Sequence, residues 1–568
     1  MSDITKDWAL YLAGKSYNDR LKPSYYDTVD ANLAFFEGDQ WRNLKADNMP
    51  KPVFNIIKRV ITFQVASLTS SKTKIHFEDL LNVPRQPDAE TPTLAEIANA
   101  QVQNLLEKFK FDFKIKDALF DAAITGDGAT HFYFDMSKRP FGAGNAVKGE
   151  ICMELVDGVN VFFGNANNAN VDAQPYIIIS GRDMVQNLKE EAKRYKQADE
   201  SINSDANYQH QAGDSSEIEV ESDDYGKALY IIVYRKDKKT GTIKASKSVE
   251  NAYIYKDIDT GLTHYPVAWM NWEKQKNQYH GRALCTGILP NQIFINRMFA
   301  MVMYHLMMTA FPKAVYNKDI IPSWNNEIGS AIGVSGMSLG ENIKNVAGYL
   351  EPGNMSNQII QTIELAMQYT KETLGISDAA LGQIDPKNTS AIIAVQKSSA
   401  IPLENPKSNL YEWIEDIGKI LFDMMGTYYG ERPLTMDIDG EKQVINFDFS
   451  QFKDAFLDVR ADVGESSYWS EIASMQTMDA LLNNQHIDII NYLERVPTEY
   501  IPQKEELIAD IREKMEMAEQ QQMMQEQMMG PEELVMQLSP EEQQAFFNAP
   551  PEVQQQIISQ IQQPQAPQ

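Results

Sequence analysis

Chemistry in a protein needs reactive side chains at set spacings, and this chain offers few. Gly14-Lys15-Ser16 ends like a phosphate-binding loop, but the glycine needed five positions earlier is Ala9 and no strand precedes it. The cradle of backbone N–H groups that would hold a phosphate is therefore missing. Gly142-Ala143-Gly144 is too short for a dinucleotide fingerprint and reads as loop glycines. The histidines (His76, His131, His210, His264, His280, His305 and His486) never stand four residues apart, and no HExxH occurs. A transition-metal site is not expected. Asp257-Ile258-Asp259-Thr260-Gly261 starts like a calcium loop, but the position of the closing bidentate Glu is Ala268, so a hairpin turn is expected instead. Cys152 and Cys285 form no CxxC pair. With no GxSxG either, these motifs give no catalytic residues, no metal site and no cofactor, and a non-enzymatic protein is expected.

The bulk properties narrow the class further. The chain has 568 residues, 43% of them apolar, enough for a sizeable core. Its 79 acidic and 52 basic residues give a net charge of −27. A protein that grips nucleic acid by neutralising phosphates needs the opposite sign; one that lets DNA slide past does not. Two distant cysteines suit a reducing compartment. The start, MSDITKDW, has no apolar core, so no secretory signal is expected.

The elements that would position any site follow from periodicity. Helices are expected within 5–45, over Ile56–Leu68 and from Leu94 to Ala123. The turn Gly126-Asp127-Gly128 opens a β-rich region: Ala129–Phe134, Ile151–Val156, Val161–Phe163 and Tyr176–Ser180. A short helix over 182–196 follows. Residues 199–224 hold nine acidic residues and no Lys or Arg, and read as a mobile surface loop. Strands resume at Leu229–Arg235, Thr242–Ser246 and Asn251–Tyr255.

The stretch 281–393 is the most informative. An apolar helix runs to Phe311, with Pro290 marking an early break or its start and Pro312 closing it. Its apolar residues, from Ile293 to Met307, wrap more than one face, so neighbours must cover it. The charge-free run Met298–Pro312 is short of the ~20 residues a membrane span needs, so no membrane partner is expected. Next come a β-like Ala314–Tyr316, a short helix near Trp324–Ile332, a β-like Ile343–Leu350 and a second helix from Ser356 to Leu374. A loop over 375–390 carries Lys387-Asn388, where a lone cation could touch a phosphate. A helix kinked by Pro402 and Pro406 continues from Leu410 to Tyr429. Strands over Leu434–Phe449 and Val459–Val463, helices over 469–515 and a Gln/Met-rich tail complete the chain.

Several stretches, in order, resemble the portal proteins of tailed bacteriophages. They are FFEGDQW (Phe35–Trp41) with KPVFNIIKRVI (Lys51–Ile61), DALFDAAITGDGATHFYFD (Asp117–Asp135), YPVAWMNWE…GRALCTGILPNQIFINRMFAMV (Tyr265–Val302) and LGISDAALGQIDPKNTSAIIAVQ (Leu374–Gln396). The resemblance covers roughly 20–515. It implies an α+β, multidomain portal fold, with an α/β wing, a helical stem, a small α/β clip and a helical crown, assembling as a ring with twelve subunits expected. By that resemblance the wing takes 1–280 and 394–463, stem helices 281–312 and 356–376, the clip 313–355 and a tunnel loop 377–393. The crown takes 464–515, and 516–568 is a tail or barrel.

The resemblance also implies partners. They are further copies of the chain, the terminase large subunit, head–tail adaptor or tail proteins, major capsid and scaffolding proteins, and double-stranded DNA passing through the channel. DNA would face Gln383, Lys387 and Asn388, and clip contacts would involve Trp324, Asn325 and Glu327. The expected place is a unique capsid vertex of the virion, after synthesis in the host bacterial cytoplasm. The alternative reading is another capsid-associated adaptor or scaffold protein.

Overall fold

The computed structural model describes residues 4–42, 49–69, 73–79, 92–142, 147–197, 200–204, 226–310, 314–325, 332–336, 342–349, 357–373, 401–438, 441–455, 457–463, 468–484 and 486–496, with short pieces beyond 500. The chain divides into two compact units, Met1–Glu465 and Ser466–Gln568.

The first unit begins with α1 (Lys6–Arg20) and α2 (Tyr25–Glu37). The Thr5 hydroxyl accepts from the Trp8 N–H at 3.2 Å and caps α1. Trp8 and Tyr11 pack on Phe162, Ile178, Leu229 and Ile231 of a sheet. α3 (Ile56–Leu68) has the expected bounds, capped by the Asn55 side chain. The single helix expected from Leu94 to Ala123 is two, α4 (Leu94–Phe109) and α5 (Phe111–Thr125). Lys110, at φ 53°, breaks them in the left-handed region without a glycine or proline to announce it. Thr93 and Glu96 form a capping box on α4.

Two sheets carry the first unit. In the five-stranded one, β4 (Val161–Phe163), β5 (Tyr176–Met184), β6 (Lys227–Lys236), β7 (Ile243–Ser248) and β8 (Tyr253–Asp259) lie in sequence order. The short helix α6 (Val185–Arg194) follows β5. Asp257 and Asp259 belong to β8, and the strand that follows lies in the other sheet, so the hairpin turn expected at 257–261 does not form; the chain instead bends away at Gly261, φ 71°. No metal-holding cluster of His, Cys, Asp and Glu occurs among the described residues. In the three-stranded sheet, β2 (Asp127–Asp135) lies between β3 (Glu150–Val156) and β9 (Val267–Asn271). β9 is buried throughout, and its continuous apolar run lacks the alternation that marks a half-buried strand.

β1 (Thr73–Asp79) pairs antiparallel with β14 (Leu457–Val463), Thr73 opposite Val463. β12 (Glu431–Ile438) and β13 (Glu441–Asp448) pair antiparallel where strands are expected over Leu434–Phe449. A long helix, α9 (Glu404–Tyr428), runs through the core, with Trp413, Ile417 and Leu421 fully buried. Pro406 does not kink it. It sits in the first turn, where a missing N–H leaves no bond unmade.

α7 (Leu284–Ala310) starts earlier than its proline suggests, with Pro290 inside it. Burial of Cys285 and Ile288 holds the turns before the proline in place. β10 (Ala314–Tyr316) pairs with β11 (Ala347–Tyr349), Val315 opposite Gly348. Trp324 and Asn325 lie in irregular chain, so the helix expected near Trp324–Ile332 does not start there. α8 (Asn357–Thr373) then packs on α7. In the second unit, α10 (Tyr468–Asn483) and α11 (Ile489–Arg495) pack together, and Tyr492 donates to Asp479 at 2.6 Å.

Candidate functional site

The pair α7 and α8 has two unlike parts, a foot embedded in the core and an apolar end exposed to solvent. The foot is held by buried polar bonds. Gln292 donates to the Phe54 carbonyl at 2.8 Å and accepts from the Ile56 N–H at 3.0 Å. Asn296 donates to Gln40 at 2.6 Å, and Gln40 and Asn296 are both buried. Asn32 of α2 donates to Thr286 at 2.9 Å. Phe54 packs against Phe299 with ring centres 4.4 Å apart. Each buried amide meets a partner, as it must to offset its desolvation.

Just before the helix lies a buried hydrogen-bonded centre. The Asp127 carboxylate, fully buried, accepts from Tyr25 Oη at 2.7 Å, Asn271 Nδ2 at 2.6 Å and the Gly281 N–H at 2.7 Å. His280 Nδ1 lies 2.6 Å from its Oδ2, and the imidazole stacks on Tyr25 at 3.7 Å. Burial and then the Asp127 charge push the Tyr25 phenol well above its usual range, so it stays a donor. Two glycines make this packing possible. A Cβ on Gly126 would stand 2.5 Å from the Gly281 carbonyl oxygen, and one on Gly281 2.5 Å from that of Gly126. An Asp–His pair can activate a nucleophile. Here burial pushes the nearby Cys285 thiol up to about 12, which keeps it protonated. The centre is suited to fixing where α7 begins.

The far end of α7 contrasts with its foot. Leu306 and Met307 are each 54% exposed, and Met301 51%. On α8, Tyr369 is 57% exposed. Burying such a side chain is worth about 1.5–3 kcal/mol, so a surface of this kind calls for a partner. Among the described residues α7 is the one helix long and apolar enough to cross a membrane. Its foot is inside the protein, however, leaving Met301–Ala310, about 15 Å of helix, against roughly 30 Å of hydrocarbon.

Beyond α7, β10 and β11 carry a small core of their own. Ile321 and Val346 are buried, and the Asn317 N–H donates to the Val346 carbonyl at 2.9 Å. Trp324 stacks on Tyr316 with centres 5.4 Å apart, and Asn325 is exposed beside it. Glu327, Gln383, Lys387 and Asn388 lie outside the described residues, as do 199 and 205–224 of the acidic loop.

A separate cavity of about 810 Å³ opens between the two sheets of the first unit. It is lined by His131, Tyr230, Tyr234 and Lys247, and Lys247 pairs with Glu191 at 2.6 Å. Burial, followed by several carboxylates, pushes Tyr230 up to about 12. Sequence reasoning found α7 but missed Asp127, His280 and Tyr25. Their one signal is two glycine-bearing turns, Gly126-Asp127-Gly128 and His280-Gly281, too far apart in sequence to be linked.

Against known proteins, the family model described as phage P22-like portal protein matches residues 184–568. No curated protein matches the chain. The matched region includes the tail 516–568, which the motif resemblance had left out, and starts after the motifs at 35–135.

Proposed function

The chain belongs to the phage P22-like portal protein family, a structural phage family, and from that premise we propose that it is one subunit of a ring-shaped channel at a single capsid vertex. The observation that carries the ring is the exposed apolar end of α7, whose foot is anchored in the core. Further copies of the chain would cover that end on both sides. Twelve subunits is the expected number.

In this reading residues 1–280 and 394–463 are the wing, 281–312 and 356–376 the stem, and 313–355 the clip. The clip, with Trp324, Asn325 and Glu327, docks the terminase large subunit during packaging and the tail or adaptor afterwards. The wing meets capsid and scaffolding proteins. The loop 377–393 faces double-stranded DNA, with Gln383, Lys387 and Asn388 nearest the phosphates. Residues 464–515 form the crown and 516–568 an extension or barrel. The subunits are made in the host cytoplasm and end in the virion. The role is that of a conduit, without catalysis or cofactor. A charge of −27 per subunit favours passage over grip, since a negative wall repels phosphates.

Negative-stain microscopy or native mass spectrometry of the purified protein tests this. Closed rings of about twelve subunits are expected. A protein that stays monomeric at every concentration, with no ring in virions, sinks the reading.

A further inference from the structure

α7 and α8 each expose a stripe with coiled-coil spacing. On α7 it is Phe294, Arg297, Met301, Tyr304 and Met308, three and four residues apart in turn, all exposed. On α8 it is Gln358, Thr362, Leu365, Tyr369 and Glu372, again three and four apart and all exposed. Such spacing keeps a seam on one side of a helix over several turns. The buried residues of α8, Ile363 and Thr370, lie off this stripe.

The charges on the two stripes are complementary. Arg297 is the one charged side chain in the 27 residues of α7, set among apolar neighbours, and makes no ion pair among the described residues. Glu372 accepts at Oε1 from Gln368, 2.8 Å away, and also makes no ion pair among the described residues. The two helices flank the β10–β11 hairpin and pack together, so they run antiparallel. Counted from that end at 1.5 Å per residue, Arg297 lies about 20 Å along α7 and Glu372 about 22 Å along α8. Glu364, the other acidic residue of α8, lies about 10 Å along and is out of register. The same count sets Met301 level with Leu365, and Met308 with Gln358.

We propose that the α7 stripe of one subunit seats on the α8 stripe of the next, with Arg297 pairing across the interface with Glu372. This rests on the ring reading above. Neighbours rotated about an axis along the helices keep their levels, so residues level within a chain are level across the interface. The contact is heterologous, one face meeting a different face, which is what closes a ring. Arg297, which makes no ion pair among the described residues, gains a counter-charge from the next copy in this arrangement.

Two single variants, Arg297→Glu and Glu372→Arg, test it, each checked for an unchanged melting temperature of the subunit. Each alone places like charges at every interface and should lower ring yield about tenfold or more. The informative sample is an equimolar mixture of the two. Alternating around an even-numbered ring, they present a Glu–Arg or Arg–Glu pair at every interface, so native mass spectrometry should show mixed rings at near wild-type yield. A pair made within one chain cannot be rescued by mixing, so rings absent from the mixture overturn the proposal. Full ring yield from either single variant overturns it too, leaving the ring itself intact. If wild-type protein forms no rings, it is the ring reading that has failed.

Discussion

Asp127 and His280 lie 153 residues apart in sequence and 2.6 Å apart in space, both buried, just before the start of α7. Removing the Asp127 side chain leaves the Tyr25, Asn271 and Gly281 donors without their acceptor in a dry site. Asp127→Ala is expected to cost about 3 kcal/mol or more of unfolding free energy, since each stranded donor costs about 1–3 kcal/mol. The double variant with His280→Phe should cost less than the two single losses summed. Urea denaturation measures both, and strict additivity would show that the pair is not coupled.

Gly126 and Gly281 allow that pair to form. Gly126 has φ 107°, and a methyl group on either glycine would meet the other's carbonyl oxygen at 2.5 Å. Gly281→Ala is therefore expected to lower stability by about 1–3 kcal/mol, although it adds only one carbon. A melting temperature equal to wild type contradicts this.

His131 predicts a pH dependence. Burial, and then the Lys247 charge, lower its pKa from 6.5 to about 4, and its Nε2 shares a 2.8 Å hydrogen bond with the Tyr234 hydroxyl. The folded state holds the ring neutral, while the unfolded chain takes up a proton below 6.5. Its contribution is thus complete above pH 6.5 and declines as pH falls towards 4, by about 3 kcal/mol at most. In the variant His131→Phe with Tyr234→Phe, the slope of stability between those values should flatten. An unchanged slope assigns the dependence to other groups.

At the exposed end of α7, Met307→Asp is expected to leave subunit folding intact, because Met307 is 54% exposed in the isolated chain. Ring yield should fall about tenfold or more, since a carboxylate would be buried at each interface. Sedimentation velocity separates the two effects. Loss of subunit stability together with rings would mean that the residue packs within its own chain.

For the loop expected to face DNA, Lys387→Glu should reduce packaged or retained genome while rings still form. Normal genome content in such particles removes Lys387 from the account.

Local patterns alone determined much of this protein. Ile56–Leu68 carries its helical stripe and its Asn55 cap within one short stretch, so its bounds were readable. The strands at Val161–Phe163 and Glu150–Val156 were found from β-rich composition beside a glycine turn, and α7 from its apolar length. The acidic balance argued against a protein that grips nucleic acid by neutralising phosphates. What distance in sequence separates, only the tertiary structure decided. β1 is paired by β14 nearly four hundred residues on, and its own seven residues hold no pattern strong enough to declare a strand. Lys110 adopts a left-handed backbone because α4 and α5 pack on different neighbours, not because its side chain favours it. Pro290 sits inside α7 because core burial outweighs one lost hydrogen bond. The Asp127 centre draws its donors from residues 25, 271, 280 and 281, and no local propensity encodes a meeting of four segments. Local sequence sets which elements form; burial and charge, acting across the whole chain, set where they stop and what they hold.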